Sequence, residues 1–176
     1  STLAVPMFNT MYADQAGNIF YIYNGAVPRR DLQFNWRLPV DGSNPATEWQ
    51  GIHSMDELPQ LTNPPTGFLQ NCNQTPFTTT GDGNPRAEDF PSYMTSEADN
   101  ARAQISRRIL ANRDPFTLDS WSKAAFDTTI LAAEKAVPLI VAAWEKLGQQ
   151  DPERAKRLAE PVKVLREWDQ VSRVDS

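Results

Sequence analysis

One cysteine, Cys72, and one histidine, His53, occur in 176 residues. A single cysteine excludes an internal disulfide and any site built from several thiolates. A single histidine excludes a histidine-based metal cluster, and any Ser-His-Asp or Cys-His machinery would have to use His53 itself. Catalysis by this chain is therefore expected to proceed without a histidine base. Long apolar runs are also lacking. The apolar stretch at Pro138 to Trp144 is well short of the roughly 20 residues that cross a bilayer, so no membrane insertion is expected. No charged-then-apolar start or cleavage site opens the sequence, and no targeting segment is expected within it. Lysine is absent before Lys123, and the net charge is −5, from 17 basic and 22 acidic residues. Clustered Lys and Arg of the kind that bind phosphate backbones are missing, so nucleic acid is not an expected partner.

What is present divides into two halves. Residues 1–95 hold nine acids against four bases, ten of the 14 prolines and seven of the eight glycines; residues 96–176 hold 13 acids and 13 bases. The first half is expected to be strands and long ordered loops, the second helical. Met11-Tyr12-Ala13, the turn formers Asp14 to Asn18, and Ile19-Phe20-Tyr21-Ile22-Tyr23 predict a hairpin within residues 6–25 that Asn24-Gly25 stops. From Val27 to about Phe90 prolines break the chain too often for periodic structure. So long a loop is functional or part of something larger. Its large side chains (Phe34, Trp36, Trp49, Leu58, Phe68 and Phe77) set it apart from a disordered linker. A packed, irregular segment lying against another part of the protein is expected.

The helical half predicts four segments. Ser96 can cap a helix running to about Asn112, with Glu97 and Asp99 in its first turn and Ala101, Ile105 and Ile109 as its apolar stripe. After Asp114-Pro115, a helix near Thr117 or Leu118 turns Trp121, Ala125 and Phe126 inward. Pro138 is expected to kink or restart the next, which carries Val137, Val141, Trp144 and Leu147 and ends at Gly148. Asp151-Pro152-Glu153 is a strong helix start, with Leu158, Val162, Leu165 and Trp168 on one face.

Chemical machinery is sparse. Phosphate-loop, nucleophile-elbow and metal-ligand spacings are absent. Asp56-Glu57 reads as solvation or capping, His53 as a structural loop histidine and Cys72 as a small buried residue. The most unusual run is Gly67-Phe68-Leu69-Gln70-Asn71-Cys72-Asn73-Gln74-Thr75-Pro76. Asparagine amides donate hydrogen bonds without charge, which suits stabilisation of an oxyanion. The same run also reads as a turn held by Asx hydrogen bonds, and composition alone favours the turn.

The order Tyr-Ala-Asp, Gly-Asn-Ile, Asn-Gly and Pro-Arg-Arg, then Arg37-Leu38-Pro39-Val40 and Glu48-Trp49-Gln50-Gly51, resembles the penicillin acylase family of N-terminal nucleophile amidohydrolases. So do Asn63-Pro64, the Asn-x-Asn-x-x-Pro run from Asn71 to Pro76, and Trp168-Asp169. The resemblance runs in order along nearly the whole chain and falls in the interior of the family's large catalytic subunit. It implies an α+β fold, part of a larger αββα domain of which residues 1–176 form one segment.

It also implies a mechanism. A self-cleaving precursor exposes an N-terminal serine whose own α-amino group serves as base, and an asparagine helps hold the oxyanion. By motif position that asparagine is Asn73, and the arginine that orders the site is Arg102, 29 residues further on. Ser1 sits just ahead of the hairpin, whereas the family's nucleophile lies far upstream, so Ser1 is not read as the nucleophile. No cofactor is required for the chemistry. Structural calcium is implied for the parent protein only: no ligand carries over, and Trp36 lies near a position that contributes only a backbone oxygen. The implied partners are the remainder of the acylase, including its nucleophile-bearing segment and small subunit, and a small-molecule amide; the implied location is periplasmic or secreted. On this reading the segment alone is inactive. The alternative is a non-catalytic binding or assembly module that keeps the scaffold.

Overall fold

The computed structural model describes residues 7–112 and 114–173, so Ser1 lies outside the described residues. The chain forms two compact units, residues 1–113 and 114–176. Among the described residues of the first unit, β1 (Phe8–Ala13), β2 (Ile19–Asn24) and β3 (Gln60–Thr62) form an antiparallel sheet in the order β1-β2-β3. The expected hairpin is β1–β2, paired from Phe8 with Asn24 to Ala13 with Ile19. Asp14 shapes its turn, accepting from the Asn18 backbone at 2.8 Å and the Asn18 side chain at 2.9 Å, while Gly17 takes φ 88°.

β2 carries the weight of the unit. It is hydrogen-bonded on both edges, and residues Tyr21 to Asn24 are buried. Ile22 packs with Val27, Leu58 and Met94, and Phe20, Met55 and Phe90 lie against that cluster. Burial pushes the Tyr21 and Tyr23 hydroxyls above the ordinary phenol range, so both remain donors, Tyr21 to Asn9 and Tyr23 to Glu97. β1, by contrast, leaves Phe8, Met11 and Tyr12 at least half exposed.

The segment from Val27 to Phe90 is ordered by local turns and loop-base pairings. The Arg29 N–H donates to the Gly51 carbonyl, the Gln50 N–H to the Arg29 carbonyl and the His53 N–H to the Val27 carbonyl, each at 2.9 Å, which closes the base of the excursion between them. Within it the Arg30 guanidinium lies over the rings of Trp36 and Trp49, 5.2 and 5.8 Å from their centroids. Four 3₁₀ turns (Pro45–Thr47, Met55–Glu57, Pro76–Thr78 and Ala87–Asp89) and the unforeseen β3 lie in this stretch. Three residues wedged between Pro59 and the Asn63-Pro64 turn are too few to show strand alternation. His53 is buried, its Nε2 3.0 Å from the Tyr93 hydroxyl. Glu57 accepts from the Ser54 N–H and hydroxyl at 2.8 and 3.0 Å and pairs with Arg29, so it closes its turn.

α1 (Ala101–Leu110) starts four residues later than the sequence predicts. Asn100, not Ser96, is the N-cap: the Ala98 carbonyl is already engaged by the Thr75 N–H, so residues 96–99 are drawn toward the preceding loop. Glu97 and Asp99 therefore precede the helix, and its buried residue is Ala103 rather than the Ala101-Ile105-Ile109 stripe.

The second unit holds α2 (Leu118–Ala125), α3 (Leu131–Gln150) and α4 (Pro152–Glu167), with α3 packed along α4. Ala133, Val137, Ala155 and Val162 are buried, and the Trp144 indole donates to the Ala155 carbonyl at 2.9 Å. Two expectations are corrected here. α3 does not restart at Pro138 and continues past Gly148, because the true stop is Asp151-Pro152: Asp151 ends α3 through its N–H to the Leu147 carbonyl and caps α4 through its carboxylate, which accepts the Arg154 N–H. Trp121, Ala125 and Phe126 do not face inward. Phe126 is 79% exposed, and amphipathicity marks a face that suits a cover without supplying one.

Two outcomes are expected from this packing. Leu58→Ala destabilises the first unit by about 2–5 kcal/mol, read from the urea midpoint, because the side chain is buried on all sides. The Arg29 hydrogen bond, with those from Ser54, lowers the Glu57 carboxyl from 4.5 to about 2. A depressed carboxyl adds stability that is complete above its unfolded value of 4.5 and is lost as pH falls through about 2. Arg29→Met is expected to move the Glu57 midpoint back toward 4.5 in a carboxyl NMR titration; an unmoved midpoint would assign the depression to Ser54 alone.

Candidate active site

The run from Gln70 to Thr80 folds around Gln74, which has no exposed surface. Its side-chain oxygen accepts from the Cys72 N–H at 2.6 Å, and its amide nitrogen donates to the Gln70 and Thr78 carbonyls at 3.3 and 3.4 Å. Gln70 adds a backbone bond to Thr79 and a side-chain bond to Thr78, both 2.8 Å. Asn71 accepts the Asn73 N–H through Oδ1 at 3.1 Å. That contact is an Asx turn, and it holds Asn73 at φ 62°, a left-handed conformation that asparagine tolerates better than most residues. The turn predicted for this run thus exists, and it projects Asn73 outward between half-buried Cys72 and buried Gln74.

The start of α1 meets this loop. Asn100 Nδ2 donates to the Cys72 carbonyl at 3.0 Å, and Arg107 donates to the Thr78 carbonyl at 2.9 Å while pairing with Asp99. Burial alone would raise the Asp99 carboxyl, but hydrogen bonds and charge from Arg107, with Thr78 and the Asn100 amide, hold it below the ordinary carboxylate range. Arg102, the second residue of α1, donates from Nη2 to Asn73 Oδ1 at 3.1 Å.

The two residues singled out from sequence, 29 apart, are therefore in direct contact. Arginine has no acceptor, so its partner must be the amide oxygen, and Asn73 Nδ2 is left pointing elsewhere. That N–H₂ has no partner among the described residues. A neutral donor whose oxygen is held by a guanidinium suits an atom that gains negative charge.

The sequence profile of the penicillin amidase family matches residues 1–176. The chain belongs to the penicillin amidase family. It is 30% identical over 166 residues to the penicillin G acylase of Escherichia coli, covering 93% of this chain and 18% of that protein. Its fold is similar to that of a thermostable penicillin G acylase from Alcaligenes faecalis, with a TM-score of 0.59 and 25% identity over 94% of this chain and 28% of that one. The α+β class expected from sequence holds, and the chain spans less than a fifth of its curated relative's length.

Sequence reasoning missed Gln74 and Asn100. Glutamine carries no turn signal of its own, and its role depends on carbonyls that only the folded loop brings together. Cys72, expected to be buried, is half-buried, and it is its backbone that the site uses. Among the described residues no group of three or more His, Cys, Asp or Glu side chains could hold a metal ion, and no helix is long and apolar enough to cross a membrane. Gln74→Leu, nearly isosteric, leaves the half-buried Cys72 N–H without its partner and is expected to cost on the order of 1–3 kcal/mol in chemical denaturation.

Proposed function

We propose that this chain is an interior segment of the large subunit of an amidohydrolase that cleaves linear amide bonds, with the nucleophilic N-terminal serine supplied from outside this sequence. The observation that carries the proposal is the Arg102–Asn73 contact, which occupies the amide oxygen and leaves the N–H₂ without a partner among the described residues. The serine hydroxyl attacks the substrate carbonyl as its own α-amino group takes the proton. The carbonyl oxygen becomes an oxyanion, and Asn73 Nδ2 donates to it. Arg102 holds Asn73 Oδ1, so the amide does not rotate as charge develops. Collapse expels the amine as the α-ammonium group returns its proton to the leaving nitrogen, and water then releases the acid from the acyl-enzyme.

Family membership supports the reaction class. The candidate substrates are the amide of a penicillin, of an acyl-homoserine lactone or of an acylated peptide. The nucleophile-bearing segment and small subunit complete the enzyme, which matures by self-cleavage in the periplasm or after secretion. Structural calcium, where the parent holds it, is assigned no ligand in this segment. The exposed apolar residues of β1 and α2 fit a piece that packs against the rest of such an enzyme.

Asn73→Ala in the full acylase, assayed on the para-nitroanilides of phenylacetic and octanoic acid, is expected to lower kcat by roughly 10² to 10³ with little change in KM. Near-normal turnover of both probes would refute Asn73 as the oxyanion donor.

A further inference from the structure

Asn73 and Arg102 meet at an exposed contact between a left-handed turn residue and a long, flexible side chain. Such a contact does not hold its own geometry, because ordering an exposed arginine costs rotamer entropy. Something more rigid has to set the distance between the loop and the helix. Asn100 occupies that position. Its Oδ1 accepts the Ala103 N–H at 3.0 Å, which begins the helix with Arg102 at its second residue. Its Nδ2 donates at 3.0 Å to the carbonyl of Cys72, and the peptide bond from that carbonyl leads into Asn73.

Capping needs only the acceptor, which aspartate, serine or threonine would supply equally well. The donor is surplus to capping, and the helix N–H dictates that the amide oxygen faces the helix, so the nitrogen faces the loop. One planar amide therefore grips the backbone on both sides of the Asn73–Arg102 pair. We infer that Asn100 is a positioning residue, a two-ended clamp that sets the register of Arg102 against Asn73.

This inference rests on the proposed role of Asn73, and the two are tested apart. In the full acylase Asn100→Ser keeps a capping oxygen and loses the donor. It is expected to lower kcat on the para-nitroanilide probes about tenfold, with KM within twofold of wild type and an unchanged melting temperature. Asn100→Asp, a second variant with a capping oxygen, is expected to do the same. In an Arg102→Ala background Asn100→Ser is expected to add no further loss, since the clamp acts through that contact. Wild-type kcat in Asn100→Ser beside a crippled Asn73→Ala overturns the clamp and leaves the oxyanion reading standing. Loss of kcat only in step with melting temperature in both variants makes Asn100 an ordinary cap and also overturns it, as does an additive effect in the Arg102→Ala background. An active Asn73→Ala refutes the oxyanion reading itself, and with it the reaction that the clamp would serve.

Discussion

A glutamine with no exposed surface is the constraint on which the candidate site depends. Gln74 replaces, for the loop from Gln70 to Thr80, the backbone pairing that a strand or helix would provide. Without regular structure, the N–H and C=O groups of a buried loop need side-chain partners, and an amide offers both donor and acceptor at one end. Because Gln74 faces inward, its neighbour Asn73 faces out, and the Asx turn from Asn71 fixes the backbone between them. The exposed amide is thus a consequence of buried ones.

The helix is subordinate to the loop in the same way. Asn100 starts α1 where the loop's carbonyls allow, and Arg107 returns from the last turn of the helix to the Thr78 carbonyl and to Asp99. The strongest ties thus converge on backbone atoms beside the site, and the Arg102–Asn73 contact uses the geometry they set. Electrostatics has a supporting part: Arg107 and Arg29 each hold a carboxylate ionised where a loop must be closed.

Other surfaces have no cover. β1 shows Phe8, Met11 and Tyr12, and the second unit shows Leu118, Phe126 and Leu139, each at least half exposed. Large apolar side chains in this number, in a chain spanning 18% of a relative's length, fit elements whose cores are completed elsewhere. They also explain why apolar periodicity misjudged Trp121 and Phe126: a pattern states which face avoids water and not which chain covers it.

The sequence by itself determined much that depends on near neighbours. The hairpin needed only strand formers around a turn run, the Asp151-Pro152 junction only a cap and a ring, and the family was legible in ordered short motifs that also pointed to Asn73 and Arg102. Tertiary structure alone decided where α1 begins, because the Ala98 carbonyl is claimed by a loop residue 23 positions earlier. It alone added β3, whose three residues become a strand only when β2 presents a free edge to them. It alone brought Asn73, Gln74, Asn100 and Arg102 into one arrangement. Caps and turns are short-range chemistry written in adjacent residues, whereas a hydrogen bond from a side chain to a distant carbonyl exists only after the chain has closed the loop that joins them.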